Sequence, residues 1–270
     1  MSMEQGAGAG LRLGVGSLGD SVGIPSSVQH ATVIVVGSAI AFNCLNVALN
    51  FTPLPEKYDS ESRFRWRNIV TSFIHAVISG FSAIYCLYTS PELMEDIIQH
   101  VTATSEVLVA LSVGYFVYDL IDILVSRPMR TTWPLVVHHF VILICFGISL
   151  YLRAYIGYAI VALVAEANSI FLHLRQIFLI MGVAKNSSIY RTNGVVNLAT
   201  YLVFRFGTLF WMFYWLQMHR HEVPRLLYAI AAVGLVVMVI INLVLFKRLI
   251  VSDFVSPEDK LKKDRNVLEK

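Results

Sequence analysis

The sequence predicts an all-α membrane protein with about seven transmembrane helices, and three observations support this class. Hydrophobic residues make up 56% of the 270 residues. Charged residues make up only 14%, whereas about 25% is usual in a soluble domain. Seven apolar runs approach the roughly 20 residues needed to cross a bilayer. These runs are approximately residues 31–51, 68–88, 107–125, 133–152, 156–180, 195–216 and 226–249.

The segments outside this bundle have simpler compositions. Residues 1–30 are rich in Gly and Ser and are predicted to be disordered, because they offer little apolar surface to bury. A cleaved signal peptide is the alternative for this segment. Residues 31–64 are expected to hold the first transmembrane helix and a basic loop, and residues 255–270 a charged, solvated tail.

Basic residues beside the spans predict the orientation. Of the 21 Lys and Arg residues, 15 fall on the side of the C-terminus and 4 on the opposite side, which predicts a cytoplasmic C-terminus and an external N-terminus. Topology then explains the basic charge, and no nucleic-acid partner is expected. Cys44, Cys86 and Cys145 all lie within spans, so a disulfide framework is not expected.

Polar residues within four spans recur at helical spacing, so each of these helices is expected to carry a polar stripe. The stripes are Ser72, His75, Ser79, Ser82 and Cys86; Ser112, Tyr115, Asp119, Asp122 and Ser126; Glu166, Ser169, His173 and Gln176; and Asn197, Tyr201 and Thr208, with Arg205 nearby. Because lipid-facing polar groups are unfavourable, the stripes are predicted to face a shared cavity. Ordinary hydrogen bonding between helices is the alternative, favoured for the Ser-rich second span.

Two adjacent histidines stand near the start of the fourth span, in the sequence WPLVVHHFVILICFGISLYL. His138 and His139 point about 100° apart on a helix, so they do not readily chelate one metal. A metal held by His138, Asp119 and His173 stays open, but no metal site or cofactor is predicted. A histidine backed by a carboxylate suits general-base work, and its neighbour could orient a substrate or carry an acyl group.

These arguments give two sets of candidate residues. The catalytic candidates are His138, His139, Asp119, Asp122 and Glu166. The candidates for substrate binding are His75, Tyr115, His173, Ser169, Asn197, Tyr201 and Arg205. Arg205 is expected to pair with one of the carboxylates, and Arg175 to extend toward the cytoplasmic surface. Lys247, the one lysine within these runs, stands at the end of the last run, so no lysine within the membrane is placed to hold retinal and a photoreceptor is not expected.

Several of these motifs occur in an order that resembles the TLC domain, which TRAM proteins and ceramide synthases contain. The motifs are RFRWRNIVTSFIHAVISG, GYFVYDLIDIL, LVVHHFVIL, VAEANSIFLHLRQ, YRTNGVVNLATYLVFR and a closing SDF. The resemblance covers about residues 65–254 and is strongest to the branch of TLC domain-containing proteins 1 and 2. It implies a barrel-like bundle around a lipid-accessible cavity.

For this branch, the resemblance implies a plasma-membrane protein that regulates phospholipid acyl composition and fluidity and limits the incorporation of polyunsaturated chains. The endoplasmic reticulum is the second expected location. In ceramide synthases, paired histidines and two later aspartates lie at the acyl-transfer centre. His138, His139 and Glu166 match three of these four, whereas Ser169 replaces the second aspartate. This departure disfavours ceramide synthase activity and leaves another acyl transfer open.

Two principal functional hypotheses follow. In the first, the protein binds membrane phospholipids or acyl lipids and regulates acyl composition without catalysis. In the second, it is a lipid acyltransferase that uses the paired histidines. A channel partner or a transporter is a lesser alternative, and the sequence names no protein partner.

Overall fold

The structure is a computed structural model. It describes the backbone of residues 26–52, 59–126 and 129–253, and the side chains of residues 28–52, 59–126 and 132–253. The disorder predicted for residues 1–30 falls largely outside these ranges, and the charged tail at residues 255–270 lies wholly outside them.

The described chain is almost entirely helical and contains no strand. Its helices are α1 (Ser26–Ala48), α2 (Ser60–Thr89), α3 (Glu92–Glu95), α4 (Ala103–Ser126), α5 (Met129–Leu152), α6 (Ile156–Leu163), α7 (Glu166–Ile180), α8 (Ser188–Thr200), α9 (Thr208–Met218) and α10 (Arg225–Asp253). A π-helical segment, Tyr201–Gly207, joins α8 to α9.

Seven helical stretches are long and apolar enough to cross a membrane, which confirms the predicted all-α polytopic class. They are Val28–Phe51, Ser60–Thr89, Ala103–Ser126, Thr132–Leu152, Ile156–Ile180, Ser188–Met218 and Arg225–Asp253. The fifth stretch combines α6 and α7, and the sixth combines α8, the π-helical segment and α9. Most exceed the apolar runs seen in the sequence, because the helices continue into polar residues at their ends.

Local hydrogen bonds explain where several helices begin and end. The Asp59 side chain accepts a hydrogen bond from the Ser62 backbone N–H at 2.9 Å and so caps α2. At the start of α4, Thr102 and Ser105 exchange backbone-to-side-chain hydrogen bonds, each 3.1 Å long. Helix α7 ends at Ile180, and Gly182 just beyond it has a φ of 75°, the left-handed conformation that glycine adopts without strain.

Close helix contacts set the shape of the bundle. Helix α1 packs on α4, α2 packs on α7 and α4, and α5 lies between α4 and α10. The main apolar core lies among α1, α2, α4, α5 and α6. Gly80 permits the close approach of α2 to α7, because a β-carbon there would lie 2.8 Å from the backbone nitrogen of Ala167. The barrel-like arrangement stays a prediction.

Candidate functional site

Asp119 on α4 and His139 on α5 form a buried pair. The Nε2 atom of His139 lies 2.8 Å from Oδ2 of Asp119, and its Nδ1 lies 2.7 Å from the carbonyl oxygen of Leu135. The carbonyl can only accept, so Nδ1 carries a hydrogen, and a further proton lies between Nε2 and the carboxylate. The pair is therefore electrically neutral as a unit, and both imidazole nitrogens are occupied.

His138 has a different environment from its neighbour. Its ring centroid lies 5.5 Å from that of His139, with the two ring planes 78° apart. His138 is partly buried and lines a cavity, and its Nδ1 atom is buried without a hydrogen-bond partner among the described residues. Of the two histidines, His138 is therefore the one that lines the cavity, although its Nδ1 atom is itself enclosed by protein.

The cavity lies among α5, α6, α9 and α10 and the start of α7. Its volume is about 150 Å³, it is partly open, and its wall is mostly apolar. Along α10 the lining runs from Asn242 to Leu227, about 22 Å at about 1.5 Å per residue, so the cavity is long relative to its volume. Its polar end is formed by His138, Glu166, Arg205, Thr208 and Asn242. Its other end, near the turn between α5 and α6, is lined by Tyr155, Tyr158, Trp215, Val223 and Leu227.

Glu166 stands where the fifth span is interrupted. Helix α6 ends at Leu163 and α7 begins at Glu166, with Val164 and Ala165 in a turn between them. Irregular backbone at membrane depth is tolerated where it lines a cavity or is buried in protein. The Glu166 carboxylate lines the cavity and makes no hydrogen bond with the described residues.

Arg205 is carried by the π-helical segment, near the middle of the sixth span. Its Nε donates to Oδ1 of Asn168 at 2.7 Å, one terminal nitrogen donates to Oδ1 of Asn242 at 3.1 Å, and the other donates to Oγ of Ser169 at 2.7 Å. The expectation that Arg205 pairs with a carboxylate is wrong, because all three of these acceptors are neutral. The amides of Asn168 and Asn242 lie within reach from α7 and α10, whereas Asp119 is paired with His139.

Asn197, Tyr201 and Ser169 belong to the network that holds Arg205. The side-chain amide of Asn168 donates to Oδ1 of Asn197 at 2.9 Å, and the Tyr201 hydroxyl donates to the Asn242 carbonyl at 2.9 Å. None of the three lines the cavity. They therefore lie behind Arg205 and fix its position.

His75, Tyr115 and His173 lie away from the cavity wall. The rings of His75 and Tyr115 stack between α2 and α4, with centroids 3.7 Å apart and planes 10° apart. His173 is partly buried on α7. Asp119 contacts His139 and not His138, and the described residues contain no group of three His, Cys, Asp or Glu residues placed to hold a metal.

Asp122 belongs to a separate cluster toward the end of α4. It accepts a hydrogen bond of 2.6 Å from the Asn68 side chain, and Asn46 donates to Asn68 at 3.5 Å. Asp119 and Asp122 share a helix face, as the sequence predicts, yet they have different partners on different helices.

Arg175 corrects a second expectation. It does not extend toward the surface but is 6% exposed, and its Nε and a terminal nitrogen donate to the two oxygens of Asp253 at 2.5 and 2.6 Å. The hydroxyl of Tyr190 donates to the same carboxylate at 3.0 Å. This ion pair joins α7 and α8 to the last residue of α10.

Asn168 and Asn242 matter for this site but are not among the candidates that the sequence predicts. Both are buried amides that bond Arg205. Each is also a polar residue in an otherwise apolar stretch of a span, which is the pattern that could have identified them. Together with Arg205 they join three helices at the polar end of the cavity.

Comparison with known proteins agrees with this architecture. The family model of the TLC domain matches residues 65–251. TLC domain-containing protein 2 of Danio rerio is 41% identical over 239 residues, covering 87% of this chain and 96% of that protein. Its human counterpart is 34% identical over 222 residues, covering 82% and 83%.

Human TLC domain-containing protein 1 is also similar, with 29% identity over 242 residues that cover 89% of this chain and 96% of that protein. The match to the family model spans the residues at the polar end of the cavity. Because that model covers most of the chain and TLC domain-containing protein 2 is 41% identical over 87% of it, the chain belongs to the TLC domain family.

Proposed function

We propose that this membrane protein regulates the acyl composition of membrane phospholipids, and so membrane fluidity, by holding one lipid acyl chain in the cavity among α5, α6, α9 and α10. The observation that carries the proposal is a long apolar cavity closed at one end by His138, Glu166 and Arg205. An apolar wall with a few convergent polar groups is typical of a ligand site. A lipid chain is the apolar molecule most abundant around this protein.

The dimensions of the cavity support a single chain. The lining along α5, from His138 to Ser149, covers about 16 Å at about 1.5 Å per residue. One leaflet of the hydrocarbon core is about 15 Å thick. A cavity volume of about 150 Å³ accepts a ligand of the size of benzene, which corresponds to a section of one acyl chain.

A narrow cavity also gives a basis for selection among chains. An extended saturated chain fits a narrow space more readily than a chain bent by several cis double bonds. Transfer of the selected straighter chain to phospholipids would limit the incorporation of polyunsaturated chains. The proposed location is the plasma membrane, with the endoplasmic reticulum second and the C-terminus in the cytoplasm.

The test uses two phenylalanine substitutions on α10. Ala231 lines the cavity, so Ala231→Phe fills it, whereas Val233 is 65% exposed and Val233→Phe adds the same ring to the lipid-facing surface. In cells that lack the native protein, phospholipid acyl composition is measured after expression of each variant at matched level. We expect rescue by wild type and Val233→Phe and none by Ala231→Phe. Full rescue by Ala231→Phe would exclude a role for the cavity.

A second candidate function, acyl transfer, is favoured by the environment of His138. His138 and Glu166 line the same end of the cavity, so an imidazole and a carboxylate converge on one ligand site. An imidazole nitrogen of His138 would attack the carbonyl carbon of an acyl thioester, forming an N–acyl bond as the C–S bond breaks and the thiolate leaves. A lipid hydroxyl would then take the acyl group, with its proton passing to the released imidazole. The test is mass spectrometry of protein incubated with labelled acyl thioester, in which an adduct on His138 is expected only if transfer occurs by this route.

A further inference from the structure

Arg205 is a cation without an anionic partner in the described protein. Its hydrogen bonds go to Asn168, Asn242 and Ser169, whose acceptor oxygens are all neutral. The ion pairs among the described residues involve other groups, and none includes Arg205. A charged residue within a span is unfavourable unless it is paired or reaches water, so the neutral partners orient this guanidinium but do not compensate its charge.

The guanidinium also has donors left over. Arginine carries five N–H groups, and three are used, one on each nitrogen. One N–H therefore remains on each terminal nitrogen. Arg205 lines the cavity and is partly exposed to it. One N–H group on each terminal nitrogen can donate to one oxygen of a carboxylate, which gives a two-pronged contact.

Glu166 shapes the same end of the cavity. Its carboxylate lies more than 4.0 Å from the Arg205 nitrogens and has no hydrogen bond with the described residues. A second carboxylate that enters this space is attracted by Arg205 and repelled by Glu166, since like charges in a shared site disfavour each other. Arg205 therefore raises the affinity for an anionic ligand, and Glu166 lowers it.

We propose that Arg205 anchors the carboxylate of an unesterified fatty acid, with the acyl chain extending along α5 and α10 toward the turn between α5 and α6. This inference rests on the function proposed above and names the head group of the ligand. A neutral ester or alcohol leaves the guanidinium without a counter-charge. A lipid phosphate is the competing anion, and the lysophosphatidic acid arm of the experiment below distinguishes it.

The experiment measures binding to the purified full chain in phosphatidylcholine nanodiscs. The probe is a fatty acid that carries a photoactivatable group and an alkyne tag, and crosslinked residues are identified by mass spectrometry. Unlabelled palmitic acid, methyl palmitate, hexadecanol and palmitoyl lysophosphatidic acid compete with it. The variants are Arg205→Gln, Glu166→Gln and, as a control, Arg191→Gln, which removes an exposed arginine from the same span.

We expect crosslinks on cavity residues of α5 and α10. Palmitic acid should compete with the probe at a concentration about tenfold lower, or less, than the methyl ester or the alcohol needs. This ratio corresponds to the loss of a charge-assisted hydrogen bond. Arg205→Gln removes this preference and Arg191→Gln keeps it. Glu166→Gln strengthens binding of palmitic acid several-fold. Glu166 makes no hydrogen bond with the described residues, so Glu166→Gln is expected to fold. This variant therefore tests the inference even if Arg205→Gln does not fold.

Three outcomes overturn the inference. Equal competition by acid, ester and alcohol would show that no anion is recognised, and the best competition by lysophosphatidic acid would identify a phosphate instead. Weaker binding of palmitic acid to Glu166→Gln would mean that Glu166 accepts a hydrogen bond from the ligand. In all three cases an acyl chain still occupies the cavity and the proposed function stands. No crosslink on the cavity wall in wild type would contradict both.

Discussion

Nε2 of His139 lies 2.8 Å from Oδ2 of Asp119, whereas the adjacent His138 lines the cavity with its Nδ1 unpartnered. Two neighbouring imidazoles therefore have separate tasks. His139 joins α5 to α4 through a buried, neutral pair. His138 faces the space in which a lipid chain is proposed to bind.

The first prediction concerns the buried pair. Asp119→Leu leaves His139 without its acceptor, and removal of one member of a buried ion pair costs about 3–5 kcal/mol. We expect a clear fall in the melting temperature of the purified protein in nanodiscs. The double variant Asp119→Leu with His139→Leu is the control and should recover part of the loss, because no polar group is then left unpaired. A melting temperature unchanged by Asp119→Leu alone would contradict the pairing.

The second prediction separates the two histidines. His138→Gln should leave the melting temperature near that of wild type, since Nδ1 has no hydrogen-bond partner among the described residues. If acyl transfer is the route, this variant also removes the effect on phospholipid acyl composition, because an amide neither attacks a carbonyl carbon nor takes up a proton. His139→Gln should lower the melting temperature, because glutamine does not reproduce the two contacts of the imidazole. Both readouts use matched expression in cells that lack the native protein. Full lipid rescue by both variants would exclude acid-base or nucleophilic roles and leave binding alone.

The third prediction concerns Asp122, which the sequence places on the same helix face as Asp119. Its partner is Asn68 at 2.6 Å, in a cluster apart from the cavity. Asp122→Asn retains an acceptor oxygen, so we expect a loss of about 1 kcal/mol in the free energy of unfolding and normal phospholipid composition. An altered phospholipid composition with normal stability would contradict this prediction and show that the Asp122 cluster contributes to function.

The spans could be predicted from sequence because their information is local. Apolar length and helical periodicity identify Thr132–Leu152 or Ala103–Ser126 without knowledge of neighbours. The same periodicity places Asp119 and Asp122 on one face. Periodicity does not predict which side chain each of them contacts, because that depends on how the other helices pack.

The partners of Arg205 illustrate this limit. A carboxylate was the expected partner on charge alone, but the acceptors are two amides and a hydroxyl from α7 and α10. The break before Glu166 and the π-helical segment that carries Arg205 also lie in continuous apolar sequence without proline. Tertiary contacts determine both, so propensity alone does not reveal them.

The fourth prediction tests the orientation. Asn50 and Asn186 occur in the sequons NFT and NSS, and both residues are exposed. With the C-terminus in the cytoplasm, both sequons face the cytoplasm and should carry no glycan. A gel shift on glycosidase treatment is the measurement, and a sequon appended before Met1 is the positive control that should be modified. A glycan on Asn186 would reverse the orientation.

Occupancy of the cavity is the central claim, and native mass spectrometry of protein extracted from cells measures it most directly. Wild type and Val233→Phe are predicted to retain one single-chain acyl lipid per polypeptide, whereas Ala231→Phe loses it because the added ring takes the place of the chain. Equal retention by Ala231→Phe, or no retained acyl lipid in wild type, would contradict the account.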